Sequence, residues 1–140
     1  MRKKLTKSEI ELLERSGYPK KAINYYVNMT NFGHMPRPDV SLAYTGSCGD
    51  SIMFYLKIKG NSLIEDVKFQ YLGCPGAASS ASALTELAQG RTIDEARKIT
   101  EKDVIQKLGG LPEAKSDCVK LTVTAFRKTI EKYEEHAKKG

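Results

Sequence analysis

Apolar residues change period twice along this chain, and the changes separate helical from extended stretches. Thr6-Lys7-Ser8-Glu9 is a capping box, whose hydroxyl and carboxylate satisfy free N–H groups at a helix start. A short helix is predicted from there to Gly17. Pro19 suits the first turn of a second helix, with Ala22, Ile23, Tyr26 and Val27 on one face until Asn31-Phe32-Gly33 breaks it. Met35-Pro36-Arg37-Pro38-Asp39 must be a loop, because two prolines so close remove the donors that regular structure uses. The period then drops to two. Val40 to Thr45 is short and partly apolar; Ile52, Phe54, Leu56 and Ile58 alternate with Met53, Tyr55, Lys57 and Lys59; Val67, Phe69 and Tyr71 alternate with Asp66, Lys68 and Gln70. With Gly60-Asn61-Ser62 as a hairpin turn, the pattern predicts a three-stranded antiparallel meander with helices covering one face, an α+β fold.

After Tyr71 helical spacing returns. A helix of small residues is predicted from Ala77 to Gln89, closed by Gly90. Thr92-Ile93-Asp94-Glu95 is a second capping box opening a helix to about Ile99, and Thr100 to Asp103 opens another that stops at Gly109-Gly110. Leu111 to Lys115 reads as an extended connector. From Cys118, Leu121, Val123, Ala125, Phe126, Ile130 and Tyr133 form the core stripe of a long terminal helix with a charged outer face.

Composition adds bounds. At 140 residues the chain is read as one domain over 1–140, with 1–17 as a helical extension. No run approaches the roughly 18 apolar residues of a membrane span, and the basic start at Met1-Arg2-Lys3-Lys4 leads into no apolar signal core, so a cytoplasmic location is expected. The net charge of +6 is concentrated at Arg2, Lys3, Lys4, Lys138 and Lys139. No basic stripe is interleaved with aromatics as single-strand binding requires, so neither nucleic acid nor membrane is expected as a partner.

The three cysteines change the picture most. They lie in Gly46-Ser47-Cys48-Gly49-Asp50, in Gly73-Cys74-Pro75-Gly76 and in Lys115-Ser116-Asp117-Cys118, at the tips of predicted elements. Three thiols cannot all pair, and in a reducing compartment metal binding or thiol chemistry outranks a disulfide. Cys74 and Cys118 each stand before a predicted helix, where free N–H groups and the helix dipole favour a thiolate. If the chain is extended at Cys48-Gly49-Asp50, sulfur and carboxylate point to the same side. Three sulfurs and one oxygen make a ligand set for zinc or for the iron of an iron-sulfur cluster. The spacing matches no paired C-x-x-C knuckle, so a site assembled by the fold is expected.

Plainer readings stand beside these. Free cysteines are commonly buried as small apolar groups, Asp50 could be a turn residue, and Lys115 is by default solvated. Asp117 is either a ligand or a helix N-cap. Ser79 and Ser80 are most simply packing residues, and His34 and His136 are expected to face solvent.

Taken together, several segments resemble the U-type iron-sulfur cluster assembly scaffolds, comprising the NifU N-terminal domain, IscU and SufU. They are Asn31-Phe32-Gly33, Gly46 to Asp50, Ile64 to Phe69, Gly73-Cys74, Ala78 to Ser82, Thr85-Glu86-Leu87, Gly90, Leu108 to Pro112, and Lys115 with Cys118. The resemblance runs from about Ala22 to Tyr133 and implies a SufE/NifU-like fold. It further implies a non-enzymatic scaffold that takes sulfur from a cysteine desulfurase and iron from an iron donor. Such a scaffold builds a transient 2Fe-2S cluster on Cys48, Cys74 and Cys118 and passes it to apo-protein acceptors. By the same resemblance Asp50 keeps the cluster labile, Lys115 is the tuning lysine, and Cys118 is the persulfide acceptor.

Two departures qualify it. The IscU and NifU branches usually carry His where this chain has Asp117, leaving a carboxylate or no residue in the fourth position. The zinc-binding branch also lacks that His, which keeps open a zinc-bound sulfur acceptor, a sulfurtransferase, although its insertion before the third cysteine is absent here. The connector Leu111-Pro112-Glu113-Ala114-Lys115 lacks the family's second proline and valine, which argues against docking to a specialised chaperone.

Overall fold

The computed structural model describes residues 4–47, 49–60 and 62–139. Cys48, Asn61, Arg2 and Lys3 lie outside the described residues. The elements run α1 (Lys7–Arg15), α2 (Lys20–Asn28), β1 (Val40–Thr45), β2 (Ser51–Lys59) and β3 (Leu63–Leu72), followed by α3 (Pro75–Ala88), α4 (Ile93–Arg97), α5 (Glu101–Leu108) and α6 (Ser116–Lys139). The capping boxes at Thr6, Thr92 and Thr100 all close in both directions, hydroxyl to backbone and carboxylate to backbone.

The strands form one antiparallel sheet in the order β1-β2-β3. Its register aligns Leu42 with Phe54 and Phe54 with Phe69. Residues directly opposite share a face, so Ile52, Phe54, Leu56, Val67 and Phe69 form one apolar row, all of it fully buried. A bulge between Lys57 and Ile58 leaves the Ile58 N–H off the ladder, and Asp39 Oδ2 accepts it at 2.6 Å. Beyond β3, the Asn31 to Gly33 segment exchanges backbone hydrogen bonds with Phe69, covering what would otherwise be a bare edge.

Helices α3 and α6 lie directly against the sheet, and α2 and α5 pack on α3. Phe126 of α6 meets Phe54 edge to face at 5.4 Å. Every residue of α3 from Gly76 to Thr85 is buried. Its small side chains let neighbouring backbones approach, and its hydroxyls satisfy buried carbonyls: Ser79 Oγ donates to the Ala22 carbonyl at 2.8 Å and Ser80 Oγ to that of Gly76 at 2.7 Å. Ser79 is thus a bond between helices as well as a packing residue. Helix α1 touches chiefly α2 and buries none of its own residues.

Three local expectations need correction. Pro19 is the N-cap of α2, with extended backbone, and does not lie inside the first turn. Tyr25, rather than Tyr26, packs with Val27 against the core. The connector is extended only to Pro112, because Glu113–Lys115 is a 3-10 turn that runs straight into α6. Nothing after Pro112 breaks a helix there, so Cys118 sits inside the first turn of α6 rather than ahead of it. Among the described residues no helix is long and apolar enough to cross a membrane.

Candidate metal and sulfur site

The sheet register brings the cysteine segments together. Thr45 pairs with Ser51, and Ser51 with Leu72, so the β1–β2 loop and the exit from β3 share one end of the sheet. Asp50 and Gly73 are the next residues outward from the Ser51–Leu72 pair. The loop is closed by hydrogen bonds from Gly46 N to the Asp50 carbonyl and from Gly49 N to the Gly46 carbonyl, both 3.0 Å. Helix α6 reaches the same end because its Leu121 presses on the loop. A Cβ at Gly46 would stand 2.9 Å from Leu121 Cδ1.

At this end Asp50, Cys74 and Cys118 each offer a ligand atom within 4.8 Å of the others. The two sulfurs are 3.2 Å apart, and the Cys74 N–H makes a long hydrogen bond of 3.5 Å to Asp50 Oδ2. Cys74 is the N-cap of α3 and half-buried; Cys118 is buried in the first turn of α6. Two helix N-termini therefore converge on the thiols, and their dipoles favour negative charge there. Gly73 and Gly76 leave the room: a Cβ at Gly76 would lie 3.3 Å from Cys118 Sγ.

The pair shares one proton. Either sulfur can donate across the 3.2 Å contact; with Cys118 as the donor that bond, with help from the Ala77 N–H and the Lys115 charge and against burial, pulls the Cys74 thiol down to about 6. Cys118 is pushed up, first by donating that bond and then by burial and the Cys74 charge. Cys74 is thus the thiolate of the free pair and Cys118 the thiol. The Lys115 charge favours the thiolate at both positions.

Asp117 is exposed on the first turn of α6, beside a shallow depression lined by Tyr44, Gly46, Ser47 and Lys120, and does not join the Asp50-Cys74-Cys118 group. His34 and His136 are exposed and stand apart from it, His34 edge-on to the Tyr55 ring at 5.3 Å. A cleft of about 530 Å³ near Arg91, Lys98 and Lys107 also lies elsewhere; its acidic residues Glu95 and Asp103 are held in capping boxes.

The site contains one residue that periodicity does not single out. Tyr18, in the turn between α1 and α2, is 5% exposed, and its hydroxyl has no hydrogen-bond partner among the described residues. Burial, then the neighbouring Cys74 and Cys118, push its phenol up to about 12 against the opposing pull of the Gly76 N–H, so it keeps its proton. Its only sequence signal is position, a tyrosine between the helix breakers Gly17 and Pro19.

The donor set suits a thiophilic ion. Two thiolates and a carboxylate within one ion's reach fit zinc or iron, and the oxygen ligand is the hardest of the three.

Comparison with known proteins places the chain in a family. The chain is 41% identical over 117 residues to the iron-sulfur cluster assembly scaffold protein IscU 1 of Archaeoglobus fulgidus, covering 83% of this chain and 76% of that one. It is 37% identical over 139 residues to the mitochondrial iron sulfur cluster assembly protein 2 of Saccharomyces cerevisiae, covering 94% and 86%. In fold it resembles the N-terminal NifU-like protein of Brucella abortus, with a TM-score of 0.69 at 20% identity over 88% of this chain and 98% of that one. The family model described as NifU-like N terminal domain matches residues 17–140, beginning where α1 has ended. On these grounds the chain belongs to the NifU-like N-terminal domain family.

Proposed function

We propose that this protein is a scaffold on which a labile 2Fe-2S cluster is assembled and from which it passes to apo-proteins. The observation that carries the reading is the convergence of Cys74, Cys118 and Asp50 within 4.8 Å, at two helix N-termini, in a chain with scaffold relatives. Cys48, in the same loop as Asp50, supplies the third sulfur, and Lys115 tunes the thiols. Asp50 is the hard ligand that limits how long the cluster stays. Asp117, exposed on α6 outside the Asp50-Cys74-Cys118 group, would have to swing inward to serve as a fourth ligand. Partners follow from the chemistry: a cysteine desulfurase, a source of ferrous iron and acceptor proteins. A reducing compartment such as the cytoplasm suits free thiols.

Sulfur enters at Cys118. Its proton passes to Cys74, the sulfur it already faces at 3.2 Å. The Cys118 thiolate attacks the outer sulfur of the desulfurase persulfide. A new S–S bond forms on Cys118 as the partner's breaks, and the partner's cysteine leaves as a thiolate. Reducing the bound persulfide sulfur to sulfide takes two electrons from an external electron-transfer protein.

Anaerobic incubation with ferrous iron, cysteine, a reductant and a cysteine desulfurase tests this. A visible chromophore of a 2Fe-2S cluster is expected, lost when Cys48, Cys74 and Cys118 are replaced by Ser. No chromophore, or one that survives the triple substitution, would overturn the reading. Tightly held zinc with strong stimulation of the desulfurase and no cluster would replace it with a zinc-bound sulfur acceptor.

A further inference from the structure

We propose that Tyr18 is a positioning residue whose hydroxyl donates a hydrogen bond to the sulfur at Cys118 when that sulfur is a metal-bound thiolate or a persulfide. The proposal rests on the reading of the site as one that holds sulfur and metal. A buried hydroxyl without a partner is costly, and phenylalanine would fill the same space without that cost. The Tyr18 ring belongs to the main core, yet its hydroxyl proton has no acceptor among the described residues, the Gly76 N–H being a donor turned toward its oxygen.

The Cys118 sulfur borders the same gap as the hydroxyl. The position a Cβ would take on Gly76 is 3.3 Å from the Tyr18 hydroxyl oxygen and 3.3 Å from Cys118 Sγ. Hydroxyl and sulfur thus border one gap beside Gly76 without a hydrogen bond across it in the metal-free protein, and the missing side chain leaves that gap clear for the loaded sulfur to close. A side chain at Gly76 would fill it. The Tyr18 end is also anchored: a Cβ on Gly17 would stand 3.3 Å from Pro112 Cγ, so the turn carrying Tyr18 packs under the connector leading to Lys115 and Cys118.

A neutral thiol is a weak acceptor, whereas a metal-bound thiolate or a persulfide anion accepts strongly. The hydroxyl is therefore placed for the loaded state. There it would hold the Cys118 sulfur in one orientation and draw off part of its charge, as outer partners of metal ligands do.

The test uses Co(II) as the probe, added anaerobically to the full chain, with wild type compared to Tyr18→Phe. Losing the hydrogen bond makes the thiolate a better electron donor, so its thiolate-to-cobalt charge-transfer band should move to lower energy and Co(II) affinity should fall about tenfold. The thermal midpoint of metal-free Tyr18→Phe should equal or exceed that of wild type, since only an unpartnered hydroxyl is removed. Gly76→Ala, with Tyr18 intact, should shift the band the same way, and the double variant should add little to either change. Wild-type band and affinity in Tyr18→Phe would overturn the hydrogen bond while leaving the metal site standing. A wild-type chain that takes up no cobalt would overturn the site reading and the hydrogen bond with it.

Discussion

The Cβ that Gly73 lacks would lie 2.5 Å from Cγ of Asp50 and within 2.9 Å of both its carboxylate oxygens. Only glycine lets that carboxylate rest against the turn before Cys74. The Ser51–Leu72 pair fixes the strands on either side, so the backbone has little freedom to yield. Gly73→Ala should therefore push the carboxylate outward and behave like Asp50→Ala. Both variants should slow release of the bound cluster to an acceptor by about tenfold, the size of effect typical when a metal site's support is altered. Following the decay of scaffold absorbance after adding an apo-ferredoxin measures it. Faster transfer than wild type would contradict the role given to Asp50.

The shared proton makes the pair's chemistry pH-dependent. Cys74 sits at about 6, below its ordinary 9.0, so its thiolate should dominate alkylation of the metal-free protein from near pH 6 upward. Cys118→Ala removes the S–H donor, and the Cys74 thiol should climb back toward its ordinary range, slowing alkylation at pH 7 by on the order of tenfold. Stability follows the same signs. The lowered Cys74 contributes stabilisation present above pH 9.0 and lost as pH falls through about 6. The raised Cys118 contributes in the opposite sense, present below 9.0 and lost as pH rises beyond it. Metal-free protein should therefore gain resistance to urea between pH 6 and 9. A flat profile there would argue against the shared proton.

Lys115 lowers both thiols through its charge. Lys115→Met keeps most of the aliphatic stem and removes the ammonium, so alkylation at pH 7 should slow by about twofold to fivefold, the reach of a part-exposed charge. High salt should shrink the difference between variant and wild type. A difference that persists at 1 M salt would mean that Lys115 supports the site by packing.

Fold and site should separate in stability measurements. Phe126 is 1% exposed and wedged against Phe54, and Phe126→Ala should cost about 3–5 kcal/mol. Ser79→Ala loses one buried hydrogen bond across α2 and α3 and should cost about 1 kcal/mol. Leu12, 67% exposed on α1, should tolerate Leu12→Ser within about 0.5 kcal/mol. Urea titrations of the variants check the ranking.

The persulfide assignment has its own check. After a single turnover with desulfurase and cysteine, peptide mapping should place the added sulfur on Cys118. Persulfide confined to Cys74 would make the free thiolate the acceptor and reverse the order of transfer.

Much of the architecture was legible because it is written in short-range chemistry. A threonine three residues before a carboxylate caps a helix wherever it occurs, and alternation at period two commits one strand face to the core. Legibility failed where a residue's neighbours are distant in the chain. Nothing local distinguishes Pro19 as an N-cap from Pro19 in a first turn, and nothing local to Cys118 shows that α6 starts ahead of it at Ser116, fed by the 3-10 turn after Pro112.

The candidate site divides along the same line. Its cysteines stand out by type and by position beside glycines, and the ordered motifs point to a scaffold family. Their meeting depends on register. Asp50 meets Cys74 because Ser51 pairs with Leu72, and Cys118 meets Cys74 because Leu121 can press where Gly46 has no side chain. Tyr18 became part of the site only through packing, since a phenol's partner lies across space and no periodic pattern records it. Helix and strand tendencies act over a few residues and can be read along the chain, whereas the distances that make a ligand set arise from close packing of elements far apart in sequence.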